Sequence, residues 1–194
     1  MAGHFQAASD GGAAIALDEV EISILRSLAV QLLELIGPGP VQEEGADPLA
    51  AMLADGPTSP PSDPALARLF PDAYGDPARP RDREAQAAAA EFRRYTENDL
   101  RTRKREDALA VVRTLDDLLS SDPGGGVLVL DAERSRQWLG TLNDLRLTIG
   151  TRLEVTDDES DELYRLPDTD PRKPMVLAYL WLGGLQETLI GTMT

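Results

Sequence analysis

A mainly α-helical single domain with a small N-terminal β-hairpin is the fold class this 194-residue sequence predicts. Three observations predict it. Apolar residues recur at spacings of three and four through several long stretches, Asp or Thr capping signals open them, and Pro- or Gly-containing breaks close them. Aromatic content is only 5%, so the expected core is Leu, Val, Ile and Ala. The length suits one well-buried core, interrupted by a Pro/Gly-rich flexible insertion at about 37–80.

Taken in order, residues 4–17 form two short arms around Asp10-Gly11-Gly12, the pattern of a hairpin. Asp18 with Glu21 is a capping box that opens a helix carrying Val20, Ile24, Leu25, Leu28, Leu32 and Leu35 on its stripe and ending at Gly37-Pro38. Within the insertion, Asp47-Pro48 and Asp63-Pro64 each place a cap before a first-turn proline, so two short helices are expected, with a mobile loop at 56–62. Residues 81–95 read as an Ala- and Arg-rich helix. Thr96 with Asp99 repeats the capping signal, which places a break there before a second helix runs on to about Ser120. After Asp122-Pro123-Gly124-Gly125-Gly126, the run 127–130 favours a third short strand beside the hairpin. Asp131 then caps a helix to about Leu153 whose Gly140 and Gly150 fit close helix approach. Residues 156–159 open a short acidic helix, and a last helix, about 172–190, is apolar on most sides. Such a helix is central to the core or shared with another subunit.

A formal charge of −15 argues against wrapping nucleic acid, because phosphate binding relies on Lys and Arg. With no Cys and the single His4 near one end, disulfides, thiolate chemistry, His-based metal sites and a Ser-His-Asp triad all fall away, and no cofactor is expected. Neither a secretory leader nor a membrane span is read, so a cytoplasmic protein is expected.

Four polar residues fall on apolar stripes: Glu21, Lys104, Arg146 and Gln186. The favoured reading is a buried polar network in which Glu21 neutralises Arg146 or Lys104, since a buried charge needs a partner. A catalytic lysine–carboxylate pair and side chains that snorkel to the surface are the other readings. The densest positive cluster comprises Arg93, Arg94, Arg101, Arg103, Lys104 and Arg105, interleaved with acids. It reads as a solvated helix face, a docking patch for an acidic protein surface, or a phosphate site.

Three segments carry a resemblance. Phe92 to Arg101 (FRRYTENDLR), Leu142 to Leu147 (LNDLRL) with Gly150-Thr151-Arg152-Leu153, and Trp181 to Leu189 (WLGGLQETL) resemble the motifs of an actinobacterial family of AosR-like oxidative-stress regulators, formerly a domain of unknown function. The resemblance implies a cytoplasmic, non-enzymatic regulator that works with an extracytoplasmic-function sigma factor on sulfur and cysteine biosynthesis genes. The redox form of that mechanism relies on a cysteine pair, which this sequence lacks.

The reading that combines these points is a transcriptional regulator docking a sigma factor or RNA polymerase through Arg93, Arg94, Arg101, Arg103 and Arg105. Direct DNA contact is left open. The alternative is an adaptor or scaffold in regulated proteolysis, with the apolar last helix forming a homodimer or a partner groove.

Overall fold

The computed structural model describes residues 3–8, 11–38, 56–74, 82–156, 163 and 165–193. The expected helices at Asp47-Pro48 and from Thr156 lie outside them. Among the described residues the chain is mainly helical, with one three-stranded antiparallel sheet. We number the elements β1 (Gln6–Ala7), β2 (Ala13–Asp18), α1 (Glu19–Ile36), α2 (Pro64–Leu69), α3 (Arg83–Ser121), β3 (Gly125–Leu130), α4 (Ala132–Arg152) and α5 (Lys173–Thr192).

The hairpin forms with Gln6 opposite Ala14 and Ala7 opposite Ala13. Beyond it β3 pairs along the whole of β2, from Ala13 opposite Leu130 to Asp18 opposite Gly125. Alternation then sorts the side chains. Ala13, Ile15, Leu17, Leu128 and Leu130 enter the core, while Val127 and Val129 face out. Phe5 meets Trp138 of α4 edge-on at 6.0 Å, which ties the sheet to the helical layer.

Helix α1 begins as its sequence dictates: the Asp18 carboxylate accepts from the Glu21 amide at 2.8 Å, and Glu21 accepts from the Asp18 amide at 3.1 Å. Its buried face differs from the expected stripe. Ile22, Leu25, Ala29, Leu32 and Ile36 are inside, whereas Val20 is 65% exposed and Ile24 is also exposed. The alternating steps of three and four from Ile22 make one straight seam against α3. Val20 and Ile24 lie off that seam.

The expected break at Thr96 is absent, and α3 runs unbroken for 39 residues. The Thr96 hydroxyl donates to the Phe92 carbonyl at 2.8 Å, one turn back, instead of capping a new start. Ion pairs across this turn, described below, hold the helix continuous. Helix α3 packs between α1 and α4, and α4 in turn contacts α2 and α5. Both glycines of α4 sit at close approaches: a Cβ at Gly140 would lie 3.2 Å from Asp107 of α3, and one at Gly150 would lie 3.2 Å from Tyr179 of α5. Helix α5 buries Val176, Leu182, Leu185 and Leu189 but exposes Met175, Leu177 and Ile190, so one face is in the core and the other is open. No helix among the described residues is long and apolar enough to cross a membrane.

The turn into β3 rests on Gly125, whose φ of 101° favours glycine and whose Cβ would stand 2.3 Å from the Leu17 carbonyl oxygen. Gly125→Ala is expected to destabilise the protein by well over about 1 kcal/mol in urea unfolding, with Gly124→Ala close to neutral. Equal effects would show that this turn does not constrain the sheet.

Candidate partner-binding site

The basic segment of α3 divides into an inward ladder and an outward face. Arg93, Glu97, Arg101 and Arg105 recur every fourth residue, so they rise along one side of the helix. Arg93 and Glu97 are buried, at 4% and 3% exposure. The Arg93 guanidinium donates to Glu97, to Asp72 at 2.8 Å and to the Phe70 carbonyl at 2.9 Å. The other Glu97 oxygen accepts from Arg101 Nε at 2.9 Å and Nη2 at 2.7 Å. Arg101 also donates to the Ile36 carbonyl at 2.8 Å and lies 4.3 Å over the Phe70 ring. Arg105 donates to the Leu33 and Gly37 carbonyls.

This ladder supplies what α1 lacks. The last turn of α1 contains no basic residue, so its terminal carbonyls need donors from elsewhere. Arg101 and Arg105 provide them, together with positive charge where the helix dipole is negative. Burial works against the charge on Arg93, but Asp72 and Glu97 outweigh it and hold the guanidinium above its usual pKa.

The remaining basic positions behave differently. Arg94 is half-buried, with its guanidinium 5.3 Å from the Tyr95 ring. Arg103 is exposed and points into the field of Asp107. On Arg103's side of α3 stand Phe92 at 45% exposure, Tyr95 at 63% and Leu100 at 38%. Tyr74 meets Phe92 edge-on at 5.8 Å and is exposed too. The outward face therefore combines aromatic and apolar side chains with Arg103 and with exposed acids, Asp99 one turn before it and Glu106 one turn after. No reading of the sequence singled it out, although Phe92, Thr96, Leu100 and Arg103 share the spacing of one helix side.

The four polar residues on apolar stripes form separate bonds rather than one network around Glu21. Glu21 accepts from the Gly3 and Asp18 amides, both at 3.1 Å, and so fastens the N-terminal segment without meeting Lys104 or Arg146. Its place in the capping box holds it at the start of α1. Lys104 donates to Asp144 of α4 at 2.6 Å. Arg146 donates to Gln186 of α5 at 2.7 Å and stacks 5.0 Å from the Tyr179 ring. Asp144, missed in the sequence, occupies a buried side of α4 with Thr141, Leu145 and Thr148, and that three–four spacing was its signal.

The chain belongs to the family described as a domain of unknown function (DUF2017), which matches residues 2–193. It is 32% identical over 139 residues to the oxidative stress regulator AosR of Mycobacterium tuberculosis (strain ATCC 25618 / H37Rv), covering 67% of this chain and 58% of that protein. The Mycobacterium bovis protein of the same name matches to the same extent. A putative oxidative stress regulator AosR of Mycobacterium leprae is 32% identical over 180 residues, covering 88% of this chain and 77% of that protein. The chain thus spans somewhat over half the length of the first two relatives. No solved structure matches it.

Two outcomes follow from the geometry. Arg93→Ala removes the cation that Asp72 shares with one oxygen of the buried Glu97 and is expected to cost about 3–5 kcal/mol in urea unfolding, against within about 0.5 kcal/mol for Arg103→Ala. Asp144 responds to pH: burial raises its pKa despite the opposing effect of Lys104. The folded state then holds that proton more firmly than the unfolded chain. The contribution of Asp144 is therefore greatest at low pH, falls as pH rises out of the ordinary carboxylate range, and levels off above the raised value. The stability of wild type minus that of Asp144→Asn, measured across that window, should fall with pH; a rise would contradict the burial argument.

Proposed function

We propose that this chain is a non-enzymatic transcriptional regulator that acts by protein contact with a sigma factor or RNA polymerase, in the control of oxidative-stress and cysteine-biosynthesis genes. The observation that carries the reading is the 32% identity, over 88% of this chain, to a protein named as a putative oxidative stress regulator. With no cysteine in the sequence, this member stores no redox state in a disulfide of its own. An oxidant signal therefore reaches it through its partner, or it regulates without one.

The contact surface we assign is the outward face of α3, Phe92, Tyr95, Leu100 and Arg103, rather than the whole basic segment. Arg93, Arg101 and Arg105 already hold buried acids and helix carbonyls, so charge reversal there acts on folding first. Exposed aromatics beside an arginine are the residue types that dominate protein interfaces. The partner supplies an apolar groove for these side chains.

Affinity capture of the tagged protein from its native extract, with identification by mass spectrometry, tests this reading. Wild type should recover a sigma factor or polymerase subunits. The Phe92→Ala/Tyr95→Ala variant, folded by circular dichroism, should lose at least about 30-fold in affinity for the recovered subunit, the scale of an interface hot spot. Recovery of protease or chaperone components without transcription machinery would favour the adaptor reading instead.

A further inference from the structure

We propose that the cavity between α4 and α5 is a binding site for a small organic anion, a carboxylate carried on an apolar body. The cavity measures about 640 Å³. Val155, Val176, Leu180 and Ile190 give it carbon walls, and Arg146 stands among them with Tyr179 and Gln186.

Arg146 is the unusual member. Arg93, Arg101 and Lys104 are each ion-paired to a buried carboxylate. Arg146 instead has neutral partners among the described residues: the Gln186 amide oxygen at 2.7 Å, and the Tyr179 hydroxyl at the long distance of 3.5 Å. Its Nε is buried and has no partner among the described residues. A half-buried guanidinium with an unused N–H lacks an acceptor that also carries negative charge, and a carboxylate supplies both through paired hydrogen bonds.

The glycines beside it keep the space open. A Cβ at Gly183 would stand 3.4 Å from Arg146 Nε and 3.5 Å from Cζ, covering the guanidinium. Gly184 also lines the cavity, and a Cβ there would meet nothing within 4 Å. Inorganic phosphate would answer the charge but leave the apolar walls wet, so the ligand needs a hydrocarbon part. Glu187, which also lines the cavity, is exposed, and water screens its charge. This site stands independently of the regulatory reading, because its test reads binding alone.

Decanoate is a suitable probe, with decanol as its neutral counterpart, both titrated calorimetrically into the full chain. Decanoate should bind saturably at one site, at least about tenfold more tightly than decanol. Arg146→Gln should remove that preference. Gly184→Leu should abolish binding of both, with the circular dichroism spectrum retained. Equal affinity for decanoate and decanol, undiminished binding to Gly184→Leu, or no binding of decanoate at about 1 mM would each overturn the proposal. Should either variant fail to fold, the comparison of the two probes on wild type still decides it.

Discussion

Glu97 lies buried with an arginine one turn before it and another one turn after it, and much of the helical architecture depends on that arrangement. A carboxylate in such a place is tolerated only where its oxygens are fully used, and here one accepts from Arg93 and the other from Arg101. Each arginine then extends the contact. Arg93 reaches Asp72 and the Phe70 carbonyl, fixing the residues that follow α2. Arg101 reaches the C-terminal end of α1. One side of α3 thus joins three parts of the chain.

The ladder also decides what α3 presents to solvent. With three arginines turned inward, the rest of the helix surface exposes Phe92, Tyr95 and Leu100, with charge from Arg103 and Asp99. The density of arginine in the segment therefore describes the interior as much as the surface. A similar division separates the two cation contacts of α4. Lys104 meets a carboxylate and closes the α3–α4 interface, whereas Arg146 meets neutral groups beside an open cavity.

Much of the backbone was legible because its signals are local. The Asp18–Glu21 box, the Asp63 and Asp131 caps, the turn at Gly11-Gly12 and the strand before Asp131 each rest on a few neighbouring residues. Local signals misled where tertiary contacts outweighed them. Thr96 and Asp99 read as a helix start, yet Arg93 and Arg101 clamp Glu97 across that turn and the helix continues. The face of α1 was misjudged because Val20 and Ile24 are as apolar as Ile22 and Ala29, and only the position of α3 distinguishes them. Spacing alone brought Glu21 towards Lys104 and Arg146, but pairing between helices depends on packing that a single sequence does not state. The separation of inward from outward arginines was partly readable, since positions 93, 97, 101 and 105 form one i,i+4 series. Their partners, Asp72 and the carbonyls of Leu33, Ile36, Gly37 and Phe70, come from distant segments.

A double-mutant cycle between Arg93 and Glu97, using Arg93→Met and Glu97→Gln with stability read by urea unfolding, tests the ladder most directly. An exposed i,i+4 pair couples by about 0.3–0.5 kcal/mol, whereas a buried pair that organises its surroundings should couple by about 1.5–3 kcal/mol. A coupling in the higher range would place this pair among the determinants of the fold. A value at or below that of an exposed pair would contradict the account and show that the ladder does not organise the fold.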